Sequence, residues 1–195
     1  MKIRAMQLKD MEEVVGMMRV FYDSPAVIHA APDEILRQDV KDCVGDCPYI
    51  EGYIFEENDR ILGYSMVAKS YSTEYGGICV WVEDLYMKEE ARGLGIGTAF
   101  FRFLDEKYKD QAVRFRLEVE EENERAVAVY KKAGYHPLPY MQMTKEQLQR
   151  KSKRKRGQQL KMMLSPFCFY YLISAEISLN LGCMDVSISS KRIAS

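Results

Sequence analysis

The sequence predicts a mixed α/β domain, built on a central, mostly antiparallel twisted sheet of about six or seven strands flanked by helices. Three observations lead there. Residues 49–87 form a nearly continuous β-rich run, segments with helical apolar spacing lie on both sides of it, and residues 112–119 alternate strictly between apolar and polar side chains.

From the start of the chain, residues 2–7 predict a short strand. Asp10 is placed to cap a helix on which Val14, Met17, Met18 and Phe21 recur at helical spacing. A second helix is expected over Asp33–Val44. Between the two, Ser24 to Pro32 predicts a loop because Pro25 and Pro32 block helix continuation, and a loop in such a place can carry specificity.

Segments 49–57, 61–72 and 77–87 are rich in Ile, Val, Tyr and Trp, and the turn residues Glu57, Asn58, Asp59 and Arg60 separate the first two. They predict an antiparallel meander. Residues 88–97 then predict a loop, and Thr98–Lys109 a helix with Phe100, Phe101, Leu104 and Tyr108 on one side. In 112–119, Val113, Phe115, Leu117 and Val119 alternate with Arg114, Arg116 and Glu118, which gives a strand with one buried and one polar face. Asn123–Ala133 has the helical pattern Ala126, Val127, Tyr130, Ala133. Gly134 can serve as its left-handed cap, and Tyr135–Thr144 resumes an extended chain.

The chain has 195 residues, of which 47% are hydrophobic and 29% charged, enough for one ordinary core and inconsistent with global disorder. We expect one domain over 1–146 and an atypical appendage over 147–195. The net charge of −1 hides two blocks, acidic at 118–124 and basic at 150–156. The basic block reads as a solvated linker, so no specific nucleic-acid partner is expected. The uncharged stretch 162–175 contains Pro166 and is shorter than the ~20 residues that span a bilayer, so stable membrane insertion is not expected either. The N-terminus has no secretory apolar region. The five cysteines, Cys43, Cys47, Cys79, Cys168 and Cys183, lack zinc-ligand spacing, which predicts reduced thiols, a cytoplasmic protein and no metal.

Chemistry concentrates in Glu83 to Thr98, which reads strand, glycine-rich loop, helix. Glycines let backbone N–H groups approach an anion closely, and the following helix N-terminus adds a positive dipole end. On this feature alone a P-loop, a Rossmann site or a merely tight turn would compete, and a P-loop fits poorly because the Gly-Lys-Ser/Thr ending is missing. A Rossmann site fits poorly, because this loop follows a late strand of a meander rather than opening a βαβ unit.

The segment Arg92-Gly-Leu-Gly95-Ile-Gly97 resembles the pyrophosphate loop of the GNAT N-acetyltransferases, Gln/Arg-x-x-Gly-x-Gly/Ala. A second motif of that family, Asn, then Ala three positions on, Tyr four beyond and Gly-Tyr, is matched by Asn123, Ala126, Tyr130 and Gly134-Tyr135. The resemblance covers about residues 2–146 in motif spacing and element order. It implies an acetyl-CoA-dependent enzyme that acetylates a primary amine of a small molecule or of a protein or peptide, with a homodimer among the assemblies it allows. It also implies that backbone groups of Arg92, Gly93, Leu94, Gly95, Ile96, Gly97 and Thr98 hold the coenzyme A pyrophosphate. Main-chain groups of Leu85 and Met87 would pair with the pantetheine arm, Asn123 would contact that arm, and Tyr130 would act as general acid at the thioester sulfur.

For the base, two carboxylates compete. Glu118, twelve residues before Tyr130, resembles the glutamate of ribosomal-protein N-terminal acetyltransferases, whereas Glu83 lies on the strand that supplies the base in other members; a water chain is the third option. Glu83-Asp84-Leu85 followed by Arg92-Gly resembles polyamine acetyltransferases, whose cationic substrates suit the local acidity. The other function class is a non-catalytic acyl-CoA-binding module of the same fold.

Overall fold

The computed structural model describes residues 1–145; the basic run and the uncharged stretch expected beyond them lie outside the described residues. Five strands form one sheet in sequence order: β1 (Lys2–Ala5), β2 (Ile50–Glu57), β3 (Arg60–Ser72), β4 (Gly77–Met87) and β5 (Ala112–Leu117). Neighbours pair antiparallel except β4 and β5, which are parallel. That parallel pair requires a crossover, and α3 (Ile96–Tyr108) supplies it. The remaining helices are α1 (Met11–Tyr22), α2 (Asp33–Val44) and α4 (Glu124–Lys132). All of these elements lie within one compact unit, Met1–Pro139. Among the described residues no helix is long and apolar enough to cross a membrane.

Alternation along the strands gives the sheet two apolar faces. On one face, Ile54, Tyr64 and Met66 pack with Val14, Val15, Met17 and Met18 of α1 and with Leu36 and Val40 of α2. On the other, Tyr53, Phe55, Val67, Val80 and Val82 pack with Phe100, Phe101, Leu104 and Tyr108 of α3. Buried side chains of this size each contribute about 1.5–3 kcal/mol. At the β2–β3 turn, Asn58 and Asp59 both adopt positive φ, the geometry of a two-residue hairpin that matches strand twist. Gly63 sits where a Cβ would fall 2.2 Å from the Tyr86 carbonyl, so only glycine lets β3 run this close to β4.

Four sequence expectations need correction. Tyr135–Thr144 contains no strand, so the described sheet has five strands rather than six or seven. β5 ends at Leu117, leaving Glu118 just past the strand. α3 starts at Ile96, because Gly95 in a left-handed conformation opens the helix there. Asp10 precedes α1 but makes no side-chain cap bond: its oxygens accept from Arg4 at 2.7 and 2.9 Å and from the Gln7 amide at 2.8 Å. The stronger, charge-assisted partner on β1 takes the carboxylate.

A carboxylate also ties α3 to the sheet. Glu51 of β2 accepts hydrogen bonds from Tyr108 at 2.9 Å, from Lys69 at 2.7 Å and from Tyr53, and pairs with Lys107 at 3.2 Å. Burial alone would raise its pKa, but these donors outweigh burial and bring it to about 2.

Candidate active site

The site is set by where β5 stops. Its last pair with β4 is Val82↔Leu117, while β4 continues to Met87 and stays paired with β3 as far as Gly63↔Met87. From Glu83 onward, the β5-facing edge of β4 therefore has no strand partner among the described residues. An extended ligand can add there as a strand would.

A bulge changes the phase of β4 at that point. Met66 pairs with Asp84 and Val67 with Val82, so Glu83 is the extra residue. Before it, Val80 and Val82 face α3; after it, Leu85 and Met87 do so, and Asp84 and Tyr86 turn toward α1 and α2. Glu83 reaches solvent at the bulge, with its carboxyl partly shielded by its neighbours. Its carboxyl is raised above the usual range, first by partial burial and then by the charge of Glu118. The two candidate bases predicted from sequence are thus within electrostatic reach of each other.

The glycine-rich segment leads from β4 into α3. Gly93 and Gly95 have φ of 84° and 78°, which favours glycine, and Gly95 is the N-cap of α3. The amides of Ile96, Gly97 and Thr98 begin a helix and have no helical acceptor of their own, and no acidic residue lies in that first turn. Leu94 is exposed and Ile96 buried, so the loop is anchored at the helix side. The Arg92 side chain turns back to donate to the Met87 carbonyl at 3.3 Å. A Cβ at Gly93 would lie 3.2 Å from Nη2 of Arg125, so a guanidinium from α4 rests against the loop. These donors fit a diphosphate.

β4, α3 and α4 converge beside the loop: a Cβ on Gly97 would lie 3.6 Å from Val129 and 3.8 Å from the Met87 side chain. Next to Val129, Tyr130 packs edge-on against Phe101 with ring centroids 5.5 Å apart, and burial raises its pKa. Its hydroxyl has no hydrogen-bond partner among the described residues. Asn123 caps α4, accepting from the Ala126 amide at 3.3 Å, so its oxygen is engaged and its amide donors remain.

Sequence reasoning missed two features. Arg125 stands in the first turn of α4, and no periodicity marks it as facing the loop. Asp84 is buried, accepting from Tyr64 at 3.0 Å and from Tyr22 at 3.4 Å, while Ser65 donates to its carbonyl at 2.6 Å. A charged residue inside an apolar strand was the available signal.

Residues 17–135 match the Acetyltransferase (GNAT) family. The thialysine N-ε-acetyltransferase of Mus musculus is 28% identical over 148 residues, covering 70% of this chain and 85% of that protein. The Bos taurus protein of that name is 37% identical over 79 residues, 40% of this chain, and the match spans only 46% of its own length. Among solved structures, a predicted acetyltransferase from Clostridium acetobutylicum with acetyl-CoA superposes with a TM-score of 0.60 at 20% identity, covering 73% of this chain and 95% of that one. That likeness is one of fold.

Proposed function

Because the chain belongs to the Acetyltransferase (GNAT) family, we propose that it transfers the acetyl group of acetyl-CoA to a primary amine of a small molecule or peptide by direct attack. One observation carries the proposal: the edge of β4 that has no strand partner among the described residues runs from Glu83 to the glycine loop, where Met87, Gly97 and Val129 meet beside Tyr130. The pyrophosphate would sit on the amides of residues 92–98 with Arg125 alongside. The pantetheine arm would pair with main-chain groups of Leu85 and Met87, held also by Asn123. The thioester would then lie between Glu83 and Tyr130.

An alkylamine with a pKa near 10.4 is about three units from neutral at pH 7, so exposing its lone pair costs roughly 4 kcal/mol without a base. Glu83 takes this proton, directly or through water. Its raised pKa brings it nearer the operating pH, which suits a general base. The free amine attacks the thioester carbon, and a β4 amide stabilises the oxygen of the tetrahedral intermediate. Tyr130, kept protonated by burial, donates to the departing sulfur.

The relatives named for ε-acetylation of thialysine support a terminal amine on a short aliphatic stem as the first acceptor to try. The test is an amine panel with acetyl-CoA, following thiol release over amino acids, polyamines, aminoglycosides and peptide N-termini. Acetyl-CoA binding with no acceptor turned over would favour the non-catalytic module instead.

A further inference from the structure

We infer that the acceptor carries a carboxylate as well as the reacting amine, and that Arg116, laid against Trp81, is the specificity residue that holds it. The inference rests on the acetyl-transfer reading and narrows its substrate class to small ω-amino acids.

The face of β4 and β5 turned away from α3 carries two cross-strand rungs and, just past them, two carboxylates. Cys79 pairs with Arg114 and Trp81 with Arg116, and Glu83 and Glu118 come next along the two chains. The sign of the charge therefore reverses just past the second rung. Two residues of strand advance about 6.6 Å. A chain of four or five carbons between amine and carboxylate, with C–C bonds of ~1.5 Å, spans roughly that distance. An ammonium beside Glu83 and Glu118 thus places its carboxylate at Arg116.

Arg116 is prepared for such a ligand. Its guanidinium carbon lies 4.1 Å from the Trp81 ring centroid, which fixes the plane of the fork and leaves its N–H edges free. No carboxylate among the described residues pairs with it. Arg114, by contrast, is held by Glu74 at 2.9 Å and stacks on Tyr75 at 4.7 Å. Beside the two arginines, Ser70, Ser72, Cys79 and Trp81 help line a cleft of about 230 Å³. At ~30 Å³ per water, that is space for roughly eight waters, comparable to a small amino acid. A guanidinium held flat can bind a carboxylate through two parallel N–H bonds, which a lysine or an amide side chain cannot reproduce.

The test compares lysine, lysinamide and 1,5-diaminopentane as acceptors. These share the terminal amine and stem length but differ in the anion. The wild type is expected to use lysine with a kcat/KM roughly 10-fold to 100-fold above the other two, the scale of one charge-assisted contact. Arg116→Gln should abolish that preference, chiefly through KM, and leave the diamine rate unchanged. Equal use of all three by the wild type, or an equal loss on all three in Arg116→Gln, overturns the inference while leaving acetyl transfer standing.

A second readout does not need turnover. The chain has one tryptophan, so its fluorescence reports Trp81 alone. Titrating lysine into the protein with coenzyme A present should give a saturable change that the diamine and Arg116→Gln do not show; a flat signal overturns the inference. Saturation by lysine with no acetyl transfer to any acceptor would sustain the anion site and defeat the transferase reading.

Discussion

The Tyr64 hydroxyl donates to the Asp84 carboxylate across 3.0 Å, between the sheet and the first two helices and one position past the bulge at Glu83. Burial raises the Asp84 pKa; the bonds from Tyr64 and Tyr22 oppose this, the charges of Asp39 and Glu83 add to it, and the result is about 6. A raised acid pKa means that the folded protein retains a proton the unfolded chain has lost. Stability therefore falls as pH rises from about 4 to about 6, by on the order of 3 kcal/mol from this group. Asp84→Asn cannot ionise, so its melting temperature relative to wild type should be higher at pH 7 than at pH 4. A difference that does not change with pH would contradict the assignment.

Glu51 titrates with the opposite sign. Its pKa is lowered to about 2, so its contribution is complete above the unfolded value near 4.5 and is lost as pH falls toward 2. Glu51→Gln should cost about 2 kcal/mol at pH 7, since it weakens bonds from Tyr53, Tyr108 and Lys69 at once. Urea denaturation at pH 7 and pH 3 would show the penalty shrinking with acid.

Gly95 and Gly97 should respond differently to substitution. At Gly95 a Cβ meets nothing within 4 Å, but φ is 78°, so Gly95→Glu strains the backbone by about 1–2 kcal/mol and places a carboxylate in the phosphate cradle. Calorimetry should find no acetyl-CoA binding. At Gly97 the nearest atom is 3.6 Å away, so Gly97→Ala should keep affinity within a few-fold.

The pair Glu83 and Glu118 can be separated by pH–rate profiles. If Glu83 is the base and Glu118 only raises its pKa, Glu118→Gln should move the ascending limb of kcat/KM to lower pH and keep most of the activity. Glu83→Gln should cost about 10²-fold to 10⁴-fold. The reverse pattern would transfer the role to Glu118.

Tyr130→Phe keeps the ring packed against Phe101 and removes only the hydroxyl. Folding and acetyl-CoA affinity should hardly change, and single-turnover rates should fall about 10²-fold to 10⁴-fold. A wild-type rate would assign the proton at sulfur to water.

Periodicity made most of the fold legible before the structure. The apolar stripe of α1, the meander and the α4 pattern each fall where spacing puts them, because each gives one face to a core, α1 against the sheet and α4 through Tyr130 against Phe101 of α3. The glycine loop and Tyr130 were legible through their separation rather than through either motif alone. What stayed hidden depends on partners distant in sequence. Asp10 looks like a cap until Arg4 claims it, and Asp84 looks like the end of a strand until Tyr64 and Tyr22 close over it. Arg116 reads as an ordinary solvated residue until Trp81 lies beneath it.

The extra residue in β4 makes that strand behave like a reading frame of period two with a single frameshift at Glu83. Replacing Glu83 changes one symbol. Deleting it removes the insertion and keeps everything downstream in phase: Asp84 would follow Val82 and still face α1 and α2 with Tyr86, and Leu85 and Met87 would still face α3. A one-residue deletion at this point should therefore straighten the ladder between β3 and β4 and leave both cores lined as they are, whereas one more residue inserted beside Glu83 would send Asp84 and Tyr86 toward α3 and Leu85 and Met87 toward α1 and α2.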